Sequence, residues 1–190
     1  VYMVDDLIKQ TNNPLSGFIL NDMGSIVERY LSALRLNKKV VIFGVSYALL
    51  DLAEKGFDFS KALIIETGGM KGRRKELTKT ELHRRLRKGL NCDYISSEYG
   101  MTELLSQFYS DKDEVFSTTN LIKVFIRETN DPFSYTIGGK TGGINIVDLA
   151  NIYSCSFIAT QDLGKAVENG FQIMGRFDNS DVRGCNLLLQ

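Results

Sequence analysis

Apolar residues in the first part of the chain predict an early strand and then a helix. Residues 1–4, Val-Tyr-Met-Val, form a short apolar run that predicts a strand, and no initiator methionine or lead-in precedes them. We therefore expect that an N-terminal portion of the protein is missing from this chain. Apolar side chains next recur at three- and four-residue intervals from Ile26 to Leu34, after the candidate caps Asn21 and Asp22, which predicts an amphipathic helix.

Three short apolar runs then alternate with two helical segments. The runs, which have the length of buried strands, lie at 39–43, 62–66 and 93–96. The helix between the first two is predicted to begin at the candidate cap Ser46 and to end at Gly56, which suits a C-terminal cap. The second helix is predicted from Thr78, which has capping-box spacing to Glu81, as far as Gly89. This alternation predicts parallel strands with covering helices.

The second half of the chain has the pattern of a β-rich module. Ile122, Val124 and Ile126 alternate with polar residues, as in a half-buried strand. Further short strands are predicted at 144–147, 156–160 and 171–174. Asn169-Gly170 is a hairpin signal between the last two. The predicted fold is thus α/β: a mixed sheet with covering helices over residues 1–115, and a smaller β-rich module over 116–190.

Charge and composition narrow the class of protein. Of the 190 residues, 43% are hydrophobic and 24% are charged, which is ordinary for a soluble globular protein. Lys+Arg and Asp+Glu both number 23, so the bulk charge predicts no attachment to nucleic acid or to an anionic membrane. The apolar run 40–43 is too short to span a bilayer, and no secretory leader opens the chain.

The cysteines favour a reducing compartment. Cys92, Cys155 and Cys185 are odd in number and widely spaced, which argues against a disulfide framework and against a zinc cluster. We therefore expect a cytoplasmic protein.

Glycine pairs and polar residues follow the predicted strands, where an open α/β sheet binds its ligands. Gly68-Gly69 comes after the second strand, and paired glycines let a backbone approach a flat ligand closely. A plain turn is the alternative interpretation of this pair.

The third strand leads into the sequence Ser97-Glu98-Tyr99-Gly100-Met101-Thr102-Glu103. It supplies an aromatic face, a flexible glycine, a hydroxyl and a carboxylate, which suit the base, a phosphate and the Mg²⁺ ion of a nucleotide triphosphate. The alternative is a glycine turn in which Thr102 caps a helix from Glu103 to Tyr109.

A second polar set occurs late in the chain. Asp162 ends a predicted strand, and Gly175-Arg176 follows thirteen residues later. A carboxylate accepts hydrogen bonds from both ribose hydroxyls, and an arginine reaches the same sugar or a phosphate. Hairpin turns with surface charges are the alternative for each segment taken alone.

Taken in order, these motifs resemble the adenylate-forming superfamily, which includes acyl-CoA ligases. Residues 99–103 are similar to its aromatic-Gly-x-Thr-Glu signature, which implies Tyr99 and Gly100 at adenine, Thr102 near the α-phosphate and Glu103 on Mg²⁺.

Asp162 matches the ribose-binding aspartate of the same superfamily, although Gln161 stands where the family usually has glycine. Residues 175–178 resemble the family's Gly-Arg-x-Asp segment, which implies that Arg176 contacts ribose or phosphate. Gly68 and Gly69 match the adenine-lining loop more loosely. The resemblance implies ATP or AMP and Mg²⁺ as ligands and a carboxylic acid as substrate.

Within this superfamily, the chain looks most like the acyl-protein synthetase of bacterial fatty-acid reductase systems. Residues 1–4 and the segment 183–189, Arg-Gly-Cys-Asn-Leu-Leu-Leu, carry that likeness. It implies transfer of the acyl group of a fatty acid from AMP to an enzyme cysteine, here Cys185, and onward to an acyl-reductase or carrier protein. Arg183 and Arg176 would lower the pKa of that thiol. Alternatively, Cys185 is a small buried apolar residue, and coenzyme A is the acceptor. The family's Ser/Thr/Gly-rich phosphate loop and its C-terminal domain with a catalytic lysine have no counterpart in this sequence.

A serine acyl hydrolase is the alternative from another class of enzyme. Gly44-Val45-Ser46-Tyr47-Ala48 follows a strand and opens a helix, as a nucleophile elbow does. His83 is the only histidine and would have to serve as its base. It occurs before further strands, whereas elbow hydrolases place their histidine late.

A basic segment and a glycine-lysine pattern complete the candidates. Nine of the eighteen residues at 71–88 are Lys or Arg, which indicates a solvated helix face or a dock for coenzyme A or an acidic partner. No aromatic residue lies within this cluster, which disfavours RNA binding.

Gly138-Gly139-Lys140-Thr141 resembles the end of a P-loop, but Ser134 replaces its first glycine and a strand follows.

Overall fold

The apolar runs of the sequence form two four-stranded sheets. The computed structural model describes residues 2–20, 22–70, 73–74, 77–111 and 114–177. The helices are α1 (Tyr2–Thr11), α2 (Met23–Arg35), α3 (Ser46–Ala53) and α4 (Lys79–Leu90), with one 3-10 turn at Leu149–Asn151. The strands are β1 (Val40–Val45), β2 (Ala62–Thr67), β3 (Ser96–Tyr99), β4 (Phe108–Tyr109), β5 (Ile122–Arg127), β6 (Gly142–Asp148), β7 (Phe157–Val167) and β8 (Gly170–Arg176).

The first sheet has the strand order β1-β2-β3-β4. The first three strands are parallel, as the alternation of strand and helix predicts, and β4 runs antiparallel to β3. In register, Glu66 pairs with Ser97 and Thr67 pairs with Glu98. The sequences that follow β2 and β3 therefore leave neighbouring strands at the same edge of the sheet.

Local signals account for the helix that covers this sheet. Thr78 caps α4 by accepting a hydrogen bond from the Glu81 N–H at 3.3 Å. Asn91 ends the helix in the left-handed conformation, with φ of 52°. Three leucines at four-residue spacing on α4 are buried: Leu82, Leu86 and Leu90. They belong to the first hydrophobic core, which also contains Leu49 of α3 and Ile64 of β2. Asp22 likewise caps α2, as predicted, by accepting from the Ser25 N–H at 3.2 Å.

The second sheet is antiparallel throughout, with the order β5-β6-β7-β8. Val167 pairs with Gly170, so Glu168 and Asn169 form the two-residue turn that Asn169-Gly170 predicts. Phe116 forms a bridge with Phe171 of β8, which attaches the linking segment to this sheet.

The second hydrophobic core joins the two sheets. Tyr99 and Phe108, from the last two strands of the first sheet, pack with Phe116 and Phe171. Phe108 and Phe171 lie edge to face with ring centroids 5.0 Å apart, a favourable geometry for aromatic rings. The strand end that carries the Tyr99 motif is thus fixed against the β-rich module.

The predicted fold class, a mixed sheet with covering helices followed by a smaller β-rich module, is confirmed. The boundary near residue 115 stays a prediction; it falls between Tyr109, where β4 ends, and Ile122, where β5 begins. Within the described residues, no helix has the length and apolarity needed to cross a membrane.

Four local predictions were wrong. Residues 2–4 belong to helix α1, in which Asp5 and Lys9 pair at helical spacing. An apolar run as short as residues 1–4 does not distinguish a strand from a helix. The third strand begins at Ser96, three residues later than predicted, and contains Tyr99. Residues 103–107 form turns rather than the start of the alternative helix. Ser46 does not cap α3, since its hydroxyl is directed toward residues of β2 and the turn after it.

Candidate functional site

Three residues predicted to contact a nucleotide lie together between the sheets. The Tyr99 hydroxyl donates a hydrogen bond to Asp162 Oδ2 at 2.7 Å across 63 positions of sequence. Arg176 Nε lies 3.3 Å from Asp162 Oδ1, in an ion pair. Asp162 and Arg176 also face each other as cross-strand partners in β7 and β8. The structure therefore brings the aromatic-Gly-x-Thr-Glu signature to the late carboxylate and arginine.

The Tyr99 ring serves this site from a buried position. It is only 1% exposed and packs against Phe108, Phe116 and Phe171, with ring centroids 5.8 to 6.2 Å away. Stacking on adenine requires an open ring face, so the predicted contact of Tyr99 with adenine does not fit the described conformation. What Tyr99 presents to the site is its hydroxyl.

Asp162 is the polar centre of the group. Burial raises the pKa of its carboxyl above the ordinary value, while the Tyr99 hydroxyl and the positive charge of Arg176 oppose that rise. Oδ2 accepts from Tyr99, whereas Oδ1 accepts no hydrogen bond from the residues that the structure describes. Asp162 is 4% exposed, so a ligand hydroxyl would have to displace the Tyr99 hydroxyl or Arg176 to reach the carboxylate. Burial and the Asp162 charge also raise the pKa of Tyr99, which keeps that hydroxyl a donor.

A polar layer beneath Asp162 holds its strand in place. The Asp162 N–H donates to Thr160 Oγ1 at 3.1 Å, and the Thr160 hydroxyl donates to the Ile144 carbonyl at 2.9 Å. Arg127 donates to the Thr160 carbonyl at 2.8 Å and to Asn145 Oδ1 at 2.7 Å. These contacts span β5, β6 and β7, so the carboxylate is mounted on a cross-linked sheet rather than on a loop.

Thr102 and Glu103 lie in an exposed turn three and four residues after Tyr99. Their side chains are accessible, as a phosphate contact and a metal contact require, but Glu103 does not join the buried Tyr99, Asp162 and Arg176 group. Asn151 Nδ2 donates to the Glu103 carbonyl at 2.8 Å and fixes the turn from the second sheet.

A buried carboxylate, Asp148, holds the segment after this turn. Its Oδ2 accepts from the Leu105 N–H at 3.0 Å and the Ser106 N–H at 2.9 Å. Its Oδ1 accepts from the Ser106 hydroxyl at 2.7 Å and the Ala150 N–H at 3.1 Å. Burial opposes ionisation, but these hydrogen bonds outweigh it and lower the pKa of Asp148.

Replacing Asp148 with asparagine is expected to lower the free energy of unfolding by about 2 kcal/mol, because an amide leaves buried donors without an acceptor. Urea denaturation at pH 7 measures this loss. The lowered pKa means that Asp148 stabilises the fold above the unfolded-state pKa and loses that effect as the pH falls. Asp131→Asn is the control, since Asp131 accepts from the Phe133 N–H and the Ser134 hydroxyl in an exposed loop. Equal losses in the two variants would contradict the role given to Asp148.

The Gly68-Gly69 turn leaves β2 beside the start of the Tyr99-Gly100 segment. Gly68 has φ of 66°, a left-handed conformation that glycine adopts more readily than residues with a side chain. The Thr67 hydroxyl donates to Glu98 Oε2 of the next strand. On the other face, Ser97 donates to Glu66 Oε2 at 3.1 Å. Polar pairs on both faces of the sheet therefore tie the two strand ends together.

The contacts of Ser46 and His83 do not fit the hydrolase alternative. Ser46 is 1% exposed, and its hydroxyl contacts Glu66 and the Gly68 carbonyl. His83 Nε2 lies 3.0 Å from Ser97 Oγ, and its Nδ1 lies 3.6 Å from Glu114 Oε1. The histidine thus faces a different serine, and Ser46 is closed to an ester substrate.

The remaining candidates concern metal and thiol chemistry. Mg²⁺ in nucleotide sites takes one or two carboxylates together with phosphates and water. The exposed Glu103 suits such a partial ligand, and the described residues contain no group of three or more His, Cys, Asp or Glu side chains arranged for a metal. Cys185 lies outside the described residues. Cys92 is buried and Cys155 is exposed, and both are free thiols.

Sequence reasoning missed the carboxylates that hold the site together. Glu66 and Asp148 are almost completely buried, yet each directly follows an apolar run and reads as the polar end of a strand. For Asp148, the residue type was a usable signal, because aspartate often caps the turn that follows it. For Glu66, charge at the end of a buried strand was the only hint.

Known proteins resemble this chain in structure rather than in sequence. No protein-family model matches the chain, and no curated protein matches it in sequence. ATP-bound MatB from Rhodopseudomonas palustris superposes with a TM-score of 0.60 at 18% identity, covering 84% of this chain and 34% of that one. The O-succinylbenzoate coenzyme A synthetase MenE from Bacillus subtilis, in complex with AMP, gives 0.57 at 17%, covering 84% and 43%. The amide bond synthetase McbA from Marinactinospora thermotolerans gives 0.54 at 15%, covering 82% and 34%.

The chain therefore spans about a third of the length of MatB and McbA and less than half that of MenE. At these identities the superpositions establish the fold. The predicted fold class is confirmed, and the chain shares the fold of a part of each of these three enzymes.

Proposed function

We propose that the protein activates a carboxylic acid with ATP, forming an acyl-adenylate and pyrophosphate. The observation that carries this proposal is the contact of Tyr99 with Asp162 and of Asp162 with Arg176. It joins three separate stretches of the predicted signature around one carboxylate. The fold shared with MatB and MenE, whose structures contain ATP and AMP, supports the same reaction class.

Each residue has a role that its position allows. Asp162 accepts the ribose hydroxyls, and Arg176 contacts ribose or phosphate. Thr102 donates to the α-phosphate from its exposed turn. Gly68 and Gly69, at the same sheet edge, line the adenine. Tyr99 acts through its hydroxyl by holding Asp162, in place of the predicted ring stacking.

The chemistry requires little proton transfer. A carboxylate oxygen of the acid attacks the α-phosphorus of ATP, and the bond to pyrophosphate breaks. Because the acid is already ionised, no general base is needed, and binding and charge stabilisation carry the catalysis. Mg²⁺ bound at Glu103 would neutralise charge on the phosphates. In the next step a thiol attacks the acyl carbon, AMP leaves, and the thiol proton passes to solvent.

For the acceptor thiol we propose Cys185, as in an acyl-protein synthetase, with a fatty acid as the substrate and an acyl-reductase or carrier protein as the partner. This assignment rests on the terminal segment Arg183-Gly184-Cys185 and its likeness to that family. Coenzyme A is the alternative acceptor, and MenE, a coenzyme A synthetase, favours it by fold.

Isotope exchange between pyrophosphate and ATP tests the first step. The full-length protein is expected to move labelled pyrophosphate into ATP only when a suitable acid from a panel of fatty and aromatic acids is present. Absence of exchange with every acid, together with absence of AMP binding by calorimetry, would exclude the reaction. Cleavage of p-nitrophenyl esters without ATP would indicate a hydrolase instead.

The acceptor is identified by mass spectrometry after incubation with ATP and the acid. An acyl mass on Cys185 that is lost in Cys185→Ser supports the acyl-protein synthetase. An unmodified Cys185 with acyl-coenzyme A as the product supports the ligase alternative.

A further inference from the structure

Glu66 lies at the centre of a buried polar network beneath the proposed nucleotide site. It is 1% exposed and accepts hydrogen bonds from three different elements. The donors are the Ser46 hydroxyl at the start of α3, Lys79 Nζ at 2.6 Å and the Ser97 hydroxyl at 3.1 Å. One carboxylate thus connects β2 with β3 and with the helices on either side of β2 in sequence.

The charge of Glu66 is balanced by Lys79. Lys79 forms an ion pair with Glu66, and its side chain is 23% exposed. His83 Nε2 lies 3.0 Å from Ser97 Oγ, so the histidine joins the network through Ser97. Glu114 faces the other ring nitrogen of His83. Glu66 itself, 1% exposed and surrounded by these groups, is closed to the acid and the nucleotide.

The network reaches the proposed adenine loop through Ser46. The Ser46 hydroxyl lies within hydrogen-bond distance of both Glu66 Oε1 and the Gly68 carbonyl oxygen, so its one proton is held between them. A planar trans peptide points its C=O and the following N–H in opposite directions. The contact that draws the Gly68 carbonyl toward Ser46 therefore turns the Gly69 N–H away from the buried network.

We propose that Glu66, acting through Ser46, is a positioning residue that sets the peptide plane of the Gly68-Gly69 turn for the nucleotide. This inference rests on the proposed function, because the turn matters only if a nucleotide occupies that edge. Gly68 is conformationally permissive, so the contact with Ser46 can hold one orientation of its peptide. Glu66 places the Ser46 hydroxyl, and the hydroxyl places the turn.

Ser46→Ala in the full-length protein tests this chain of contacts, with Tyr30→Phe as the matched control. Both changes remove one buried hydroxyl, and the Tyr30 hydroxyl accepts a hydrogen bond from the Lys61 N–H at 3.2 Å. Both variants are expected to lose similar thermal stability. Ser46→Ala alone should weaken AMP binding about tenfold, raise KM for ATP in the exchange assay and leave kcat within about twofold. Amide hydrogen exchange of residues 67–70 should also quicken only in Ser46→Ala.

Glu66→Asp provides a second test that keeps the charge opposite Lys79 but shortens the reach toward Ser46. It should reproduce the loss of AMP affinity, and combining it with Ser46→Ala should add nothing further. Unchanged AMP affinity in both single variants, with normal binding by the parent protein, would overturn the positioning role alone. Failure of the parent protein to bind AMP or ATP would instead overturn the proposed function and this inference with it.

Discussion

Glu66→Gln is expected to lower the free energy of unfolding at pH 7 by about 3 kcal/mol. Although burial opposes ionisation of Glu66, the charge of Lys79 and the hydrogen bonds from Lys79 and Ser46 outweigh it and lower the pKa to about 2. The glutamine amide would point its donors at Lys79 or at the serine hydroxyls, which are donors themselves. The variant therefore has one acceptor oxygen fewer for these donors, and the charge of Lys79 has lost its carboxylate partner.

The pH dependence of this loss follows from the sign of the shift. A carboxyl whose pKa is lower in the folded state than in the unfolded chain stabilises the fold above its unfolded value, here 4.5. That stabilisation disappears as the pH falls from 4.5 toward about 2. Chemical denaturation from pH 7 into this acid range should show a large difference in unfolding free energy between wild type and Glu66→Gln at pH 7. That difference should narrow as the pH falls.

Glu81→Gln is the control for the Glu66 prediction. Glu81 also has a pKa lowered to about 2, through hydrogen bonds from Arg84 and Arg85, but it lies on the outer face of α4. Solvent screens such pairs, so the change in unfolding free energy should be a small fraction of that at Glu66. Similar losses at the two positions would mean that burial of Glu66 contributes nothing to the stability of the fold.

The secondary structure was predictable where a long periodic pattern or a capping residue was present. The capped helices α2 and α4 and the hairpin at Asn169-Gly170 match their predictions, because each depends on local side-chain chemistry. The first four residues did not, since four apolar positions fit a strand and a helix equally well. Residues 103–107 depend on Asp148, more than forty positions away, which no local pattern contains.

The site was predictable only as a set of ordered motifs. The residue types at Tyr99, Asp162 and Arg176 indicate nucleotide chemistry, and the structure places them in contact. The sequence could not predict that the Tyr99 ring would be enclosed, because its three phenylalanine neighbours include two from beyond residue 115. Nor could it predict that Glu66 gathers three donors, since parallel strands and two helices must first meet around it.

Asp162→Asn is expected to have the opposite effect on stability from Glu66→Gln. The raised pKa of Asp162, which already includes the attraction of Arg176, means that the folded state disfavours the ionised carboxyl. Ionisation therefore costs folding free energy once the pH rises through the unfolded and then the folded pKa. A neutral asparagine removes that cost, so the variant should unfold at the same or a higher denaturant concentration than wild type at pH 7, and the gain should shrink in acid.

The same substitution should remove most of the nucleotide affinity. In the proposed complex the two carboxylate oxygens would accept hydrogen bonds from both ribose hydroxyls, whereas asparagine offers one oxygen and a donor group. Loss of one charge-assisted hydrogen bond, with a donor now facing a ribose hydroxyl, predicts AMP binding weaker by about a hundredfold. Calorimetry on the full-length protein measures it, and Glu168→Gln, an exposed carboxylate at the turn of the same hairpin, should bind AMP as wild type does. Retained AMP affinity in a stable Asp162→Asn protein would show that Asp162 does not bind the ribose.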